Sequence, residues 1–172
     1  VDDHARKQHL GHGYSCHVCL LRPQSVGHLK LAGADPFTAP LIDPAFFDHP
    51  DDLETMVAGY KLTKSLLESP PLASLGARDM WTGHVKSDDD IRSILRARVD
   101  TVYHPIGTCK MGVDDMAVVD PRLCVRGLEG LRVIDASIMP DLIGGNTNAP
   151  SMMIGEKGAD MMKADMRSRL AA

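Results

Sequence analysis

The sequence lacks long apolar runs and any strong excess of charge of one sign. Its apolar runs extend over only a few residues, far short of the roughly 20 that a transmembrane helix requires. A net charge of −4 gives no indication of binding to nucleic acid or to an anionic membrane surface. Four cysteines in 172 residues do not suggest a disulfide-stapled secreted scaffold. We therefore expect no transmembrane segment and no nucleic-acid partner.

The remaining composition is that of an ordinary globular protein, with 44% hydrophobic and 24% charged residues. A chain of this length can form one domain, or one domain and part of another. The first residues, VDDHARKQHL, contain neither an initiating Met nor the apolar core of a signal peptide. We therefore interpret the chain as a fragment of a longer protein.

The order of the predicted elements favours an α+β fold. Residues 14–21 and 28–32 are short β-favouring runs, and the RPQSVG between them predicts a hairpin or a pair of antiparallel strands. Four prolines in residues 33–50 exclude a regular helix or a central strand and predict an extended, ordered loop. The apolar run LRVID at 131–135 predicts one further strand.

Three helices are predicted after the first strands. Apolar residues at helical spacing predict a helix over 50–68. A serine and an aspartate at capping-box spacing predict the start of a second helix over 88–99. Pro150 suits the first turn of a third helix over 150–169, because proline needs no backbone N–H there.

The CHVC stretch at 16–19 has the cysteine spacing of some metal and redox sites. A zinc site normally needs a second ligand pair, and Cys109 and Cys124 do not form one. In a strand, Cys16 and Cys19 would also lie on opposite faces. We therefore interpret them as small, half-buried structural residues and expect no metal site. A metal clip in a stand-alone binding module is the alternative.

The stretch YHPIGTCKMG, residues 103–112, combines a restrained histidine with flexible glycines. Pro105 restricts His104 to extended backbone conformations, while Gly107 and Gly112 permit a sharp turn or a close approach. A histidine held in this way suits a general base, because imidazole titrates near neutral pH. The alternative is a turn histidine that only satisfies backbone groups.

The stretch DASIMPDLIGGNTNAP, residues 135–150, ends at the predicted start of a helix. Asn146, Thr147 and Asn148 offer uncharged hydrogen-bonding groups where the backbone N–H groups of a helix N-terminus also point outward. Such a site can hold an electron-rich or anionic group without a full positive charge. The alternative is an asparagine-rich helix cap with no ligand.

Together these two stretches resemble the C-terminal region of the glucose–methanol–choline (GMC) flavoprotein oxidoreductases, most closely over 103–162. A second resemblance, to the family's substrate-domain segment around R-P-x-S-R-G, lies in RPQSVGHLKLAGADPFTAPLIDPAFF. Val26 occupies the position at which the family usually has its second arginine. Two stretches resemble the alcohol and choline dehydrogenase branch of the family more than its sugar oxidases: CHVCLLRP and TNAPSMMIGEKGAD.

The resemblance implies a division of the chain between two domains. Residues 1–115 would belong to a substrate-binding domain, an antiparallel sheet flanked by helices. Residues 116–172 would supply the C-terminal strand and helix of the FAD-binding domain. No G-x-G-x-x-G follows a strand in this sequence, and the family carries that motif several hundred residues upstream. The N-terminal Rossmann half is therefore expected outside this chain, as its partner within the same enzyme.

The resemblance also implies an activity, the FAD-dependent oxidation of a primary alcohol to an aldehyde. A histidine at the position of His104 would accept the hydroxyl proton while a hydride passes from the alcohol carbon to flavin N5. Asn146 falls on the second active-site position, where an amide can stabilise the developing alkoxide. Cofactor contacts are implied for Asp135, Ala136, Asn146, Thr147, Asn148, Ala149 and Pro150.

The partners implied are a small-molecule alcohol and an electron acceptor, which could be a quinone, another carrier or O₂. A flavin-containing lyase that performs no net oxidation is the alternative on the same scaffold.

Overall fold

The structure, a computed structural model, describes residues 11–171. Residues 1–10, which begin the predicted substrate-binding segment, lie outside the described residues. In chain order the described elements are β1 (His28–Lys30), β2 (Leu41–Asp43), α1 (Pro50–Leu67), α2 (Pro70–Ala73), α3 (Asp88–Arg98), a 3₁₀ turn (Ala136–Ile138) and α4 (Asn148–Leu170).

The described residues form two compact units. One contains the residues up to Cys19 together with Leu53–Arg98, and the other contains Leu20–Asp52 together with the residues from Val99 onward. The predicted domain boundary near residue 115 stays a prediction.

The predicted α+β class is confirmed, but the strand pairing was predicted wrongly. β1 pairs antiparallel with β2, with His28 opposite Asp43 and Lys30 opposite Leu41. β2 lies inside the proline-rich stretch that was predicted to be an extended, ordered loop. Pro40 and Pro44 flank the strand rather than interrupt it, so neither proline removes a hydrogen bond from within the strand.

Residues 14–21 form no strand, because they pack against helices. The Tyr14 hydroxyl donates a hydrogen bond to the Leu72 carbonyl, at 3.2 Å. A Cβ on Gly59 of α1 would lie 2.7 Å from Cγ2 of Val18, so this segment passes close to the helix. Local β propensity is thus overridden by tertiary contacts.

The two long helices of the first unit lie where the apolar spacing predicted them. Ser87 and Asp90 cap α3 reciprocally: the Ser87 N–H donates to Asp90 Oδ2 at 2.9 Å, and the Asp90 N–H donates to Ser87 Oγ at 3.1 Å. Arg92 of α3 binds Glu54 of α1 through two hydrogen bonds. Behind these contacts, buried apolar residues form a small core: Val57, Val85 and Ile91.

The second unit has the larger core, which α4 covers. Its buried members are Val119, Leu123, Ile138, Met139 and Ile154. α4 begins at Asn148, two residues before the predicted start, and Pro150 therefore lies in its first turn, as expected. No helix within residues 11–171 is both long and apolar enough to cross a membrane.

The strand predicted at 131–135 is reduced to a single bridge between Cys124 and Arg132. Two backbone hydrogen bonds support it, from Val125 to Leu131 at 3.0 Å and from Val133 to Leu123 at 3.2 Å. Leu123 has a φ of +66°, a left-handed conformation that cannot continue an extended strand. The pairing therefore ends after these bonds.

Candidate functional site

His104 and Thr147 join the two stretches that the sequence singled out. His104 is half-buried, and its Nδ1 lies 2.8 Å from the Oγ1 of Thr147. Thr147 is only 8% exposed, and 43 residues separate it from His104 in the chain. The contact fixes residues 103–112, here called the histidine loop, against the start of α4. Asn146 directly precedes Thr147 and so lies beside this contact in the chain.

The Thr147 hydroxyl is available to His104 because it does not cap α4. An N-cap hydroxyl usually accepts a hydrogen bond from the second or third residue of its helix. The third residue here is Pro150, which has no N–H. Thr147 also has helical rather than extended backbone angles, φ −85° and ψ −1°, and its side chain makes no capping bond.

The backbone on either side of His104 is unusually constrained. Tyr103 has a φ of +62°, a left-handed conformation that costs a non-glycine residue about 1–3 kcal/mol. Its N–H donates to the Thr101 hydroxyl at 3.0 Å, which helps to hold that conformation. Gly107 has a φ of +81°, so the turn predicted after His104 does require a glycine. Nothing in the sequence identified the strained position of Tyr103.

The far end of the histidine loop is tied to the 3₁₀ turn. The Cys109 N–H donates to the Ser137 carbonyl at 3.0 Å, and the Met111 N–H donates to the Ile138 carbonyl at 2.8 Å. Asp135 caps the same turn, accepting from the Ser137 N–H at 2.7 Å, and it remains exposed. Ala136 is half-buried and packs against the core. These bonds bring the segment at 135–139 next to the histidine loop.

The groups that lead into α4 are open. Asn146, Asn148 and Ala149 are exposed, and within residues 11–171 the Asn146 side chain makes no hydrogen bond. The N–H groups of the first helical turn lack intrahelical acceptors, as at any helix N-terminus. Pro150 is half-buried and contributes no donor. This set of uncharged donors fits an electron-rich or anionic group.

A buried carboxylate holds the RPQS segment in place. Asp52 is 3% exposed and accepts hydrogen bonds from the Gln24 N–H at 2.9 Å and from the N–H and hydroxyl of Ser25. Burial alone would raise the pKa of Asp52, but these hydrogen bonds outweigh it and the pKa lies below its ordinary value. The same segment reaches the 135–150 stretch, because the Arg22 guanidinium lies against Gly144. No local pattern in the sequence predicts these hydrogen-bond partners of Asp52.

The cysteines of CHVC are exposed, which corrects the expectation that they would be half-buried. They lie in the segment that packs along the helices rather than in a strand. His17, between them, has its Nε2 3.2 Å from the Ser15 hydroxyl. In the part of the chain that the structure describes, no three His, Cys, Asp or Glu side chains are placed to hold a metal ion.

The GMC oxidoreductase family model matches residues 23–155, a range that contains His104, the 3₁₀ turn and the start of α4. The chain belongs to the GMC oxidoreductase family. The resemblance inferred from the sequence is thereby confirmed.

Two curated relatives illustrate where this GMC oxidoreductase lies in its family. An alcohol dehydrogenase (acceptor) of Pseudomonas putida is 48% identical over 171 residues, which cover 98% of this chain and 31% of that enzyme. The mitochondrial choline dehydrogenase of Homo sapiens is 43% identical over 166 residues, which cover 95% of this chain and 28% of that enzyme. The chain therefore spans less than a third of the length of these two relatives.

A solved structure supports the same fold for this GMC oxidoreductase chain. It is that of a formate oxidase variant from Aspergillus oryzae RIB40, made to study FAD modification. The two chains are 33% identical and superpose with a TM-score of 0.77, over 87% of this chain and 26% of the oxidase. The α+β arrangement is thus shared with a flavoprotein of the family.

Proposed function

We propose that this chain forms part of an FAD-dependent alcohol oxidoreductase that oxidises a primary alcohol to an aldehyde. Family membership and the relatives that act on alcohols support this class of reaction. The observation that carries the proposal is the contact between His104 and Thr147, since it joins a candidate base to the stretch that contains Asn146.

His104 acts as the proton acceptor. Its Nδ1 is engaged by Thr147, which leaves Nε2 as the ring atom that can take the proton of the alcohol hydroxyl. Loss of that proton makes the carbon a far better hydride donor, because an alkoxide releases hydride more readily than a neutral alcohol. A positioned base of this kind typically contributes about 10²–10⁴-fold to the rate.

Asn146 stabilises the oxygen that becomes negative. Its amide cannot take the proton, but it can donate a hydrogen bond to the developing alkoxide. The side chain is exposed and has no hydrogen-bond partner within residues 11–171, so its N–H groups are available to a substrate.

FAD, when bound, supplies the acceptor for the hydride. The residues present fit such a group, because an open helix N-terminus and neutral amides suit the carbonyl and phosphate oxygens of a flavin nucleotide. Asn146, Asn148, Ala149, Pro150 and the backbone of Thr147 would hold it together with Asp135 and Ala136, while the Thr147 hydroxyl contacts His104. The main ADP-binding half comes from polypeptide outside this chain. A quinone, another carrier or O₂ would then remove the two electrons.

The proposal is tested by mixing the full-length, FAD-loaded protein with a panel of primary alcohols in the absence of oxygen. The panel includes aliphatic and aromatic alcohols and choline. We expect at least one alcohol to bleach the oxidised-flavin absorbance with one aldehyde formed per flavin. Reoxidation by a quinone analogue or by O₂ then identifies the class of acceptor. Product formation without bleaching would indicate a lyase, and no reaction with any alcohol would contradict the proposal.

A further inference from the structure

We propose that Thr147 is a positioning residue, whose hydroxyl accepts a hydrogen bond from the Nδ1–H of His104 and so keeps Nε2 available as the base. The inference rests on the proposed function of His104. It gives the buried hydroxyl at the start of α4 a task separate from contact with the cofactor.

The geometry of the contact is that of a well-formed hydrogen bond. The 2.8 Å between Nδ1 and Oγ1 lies within the usual range for such pairs. Thr147 is buried and His104 is half-buried, so water competes little for either group. The β-branched side chain of Thr147 also has few rotamers, which keeps the hydroxyl in one place.

The Thr147 hydroxyl does not accept the capping hydrogen bond that is usual for a side chain at this position. Pro150 removes one of the two N–H groups that an N-cap side chain can bind, and the Thr147 side chain, with its backbone outside the capping conformation, does not bind the other. The carbonyl of Thr147, by contrast, accepts from both the N–H and the hydroxyl of Ser151, at 3.0 and 2.6 Å. The bond from the Ser151 N–H, which does not depend on the hydroxyl, holds the backbone of Thr147 while its side chain faces His104.

The protonation states that a base must adopt decide which group donates in the hydrogen bond between His104 and Thr147. A neutral imidazole has one N–H and one lone pair, and an imidazolium has two N–H groups. If Thr147 donated to Nδ1, the proton of the neutral ring would lie on Nε2, which could then accept nothing. If Nδ1–H donates to Oγ1, Nε2 can take the substrate proton and the bond to Thr147 persists in the charged ring. Only this second arrangement is compatible with both states of a base.

Three variants of the full-length, FAD-loaded enzyme separate positioning from structure. Thr147→Val keeps the shape of the side chain and removes the acceptor, whereas Thr147→Ser keeps the acceptor. Ser151→Ala is the control, because it removes a hydroxyl at the same helix start without touching the bond to His104. The readouts are FAD content, the limiting rate of anaerobic flavin reduction and the apparent Kd for the alcohol.

We expect Thr147→Val to retain FAD and to lower the limiting rate about 10–100-fold, with the apparent Kd changed less than about threefold. Thr147→Ser should recover most of that rate, and Ser151→Ala should reduce flavin within about threefold of the wild type. Reduction by Thr147→Val at the wild-type rate would overturn the inference. So would a loss of FAD with a normal rate per bound flavin, since that assigns Thr147 to the cofactor.

A measurement on the wild-type enzyme does not depend on any variant folding. With ¹⁵N-labelled histidine, NMR distinguishes the two neutral tautomers, and the His104→Ala spectrum identifies the signal. We expect the Nδ1–H tautomer, and the Nε2–H tautomer would overturn the inference. His104→Ala also separates the two proposals. If its flavin reduction is slow while that of Thr147→Val is normal, the proposed function stands and only this inference fails.

Discussion

Asp52 is a buried charge that the fold stabilises with hydrogen bonds. Its carboxylate accepts from Gln24 and Ser25, and these bonds lower its pKa in spite of burial. A group whose pKa falls on folding adds stability above its unfolded pKa and loses that contribution as the pH falls through its folded pKa. Asp52 should therefore stabilise the protein at neutral pH and cease to do so in acid.

Asp52→Asn should lower the free energy of unfolding of the full-length protein by about 2 kcal/mol at neutral pH, because its NH₂ group faces backbone donors. The difference from the wild type should narrow as the pH falls below about 4, the ordinary pKa of an aspartate in the unfolded chain, because the pKa of Asp52 in the folded protein is lower. Urea unfolding at several pH values measures both effects. The exposed neighbour offers the control, since Asp51→Asn should change stability by less than about 0.5 kcal/mol. Equal stability of the two variants at pH 7 would contradict this role.

For single residues, the sequence indicates side chains with distinctive chemistry but does not indicate their hydrogen-bond partners. His104 and Asn146 are recognisable because proline, glycine and amides surround them. The hydrogen bond to Thr147 spans 43 residues, and no local pattern encodes it. A proline three residues after Thr147 does remove one of the two usual capping donors, and this signal could have indicated a different task for the hydroxyl.

At the scale of the element, α4 approaches the chain at Ile134 so closely that only glycine fits. A Cβ on Gly158 would lie 2.3 Å from Cγ2 of Ile134. Gly155, in the same helix, has no atom within 4 Å of the corresponding point. Alanine substitution at these two glycines is therefore expected to have opposite effects on stability.

Gly158→Ala should destabilise the full-length protein by about 1–3 kcal/mol, because the added methyl group overpacks the contact with Ile134. Gly155→Ala should be neutral or should stabilise by up to about 1 kcal/mol, since alanine favours the helix. Thermal and urea unfolding measure the change in stability of both variants. If Gly158→Ala is no less stable than Gly155→Ala, α4 does not pack on Ile134 as described.

The helices were more predictable than the strands for a physical reason. The hydrogen bonds of a helix are local, so apolar spacing and caps located α1, α3 and α4 within a few residues. Strand pairing depends on distant segments. Residues 14–21 therefore packed on helices instead of joining β1, and the left-handed Leu123 ended the pairing at 131–135.

At the scale of the whole molecule, many large apolar side chains of the described residues are exposed. Phe37 is 96% exposed, Val26 84% and Leu31 83%, and every residue of β1 and β2 is exposed. A two-stranded sheet without a covered face is marginally stable in water. Since the chain spans less than a third of two curated relatives, we expect further polypeptide to cover these side chains.

The 172-residue chain produced alone should therefore bind FAD far more weakly than the full-length protein and should not be reduced by alcohol. Equilibrium dialysis with FAD and anaerobic mixing with an active alcohol measure the two properties. Co-expression with upstream polypeptide, which we propose carries the Rossmann motif, should restore both FAD binding and reduction by alcohol. Stoichiometric, alcohol-reducible FAD in the isolated chain would show that the site needs nothing outside these residues.

The central claim is that His104 takes the proton of the alcohol, and the rate of flavin reduction in His104→Ala tests it most directly. The variant is compared with the wild type and with His84→Ala, which removes an exposed histidine outside the site. We expect the limiting anaerobic rate of His104→Ala to fall about 10²–10⁴-fold with bound FAD near one per chain, and the rate of His84→Ala to stay near that of the wild type. A His104→Ala enzyme that is reduced at the wild-type rate would contradict the account.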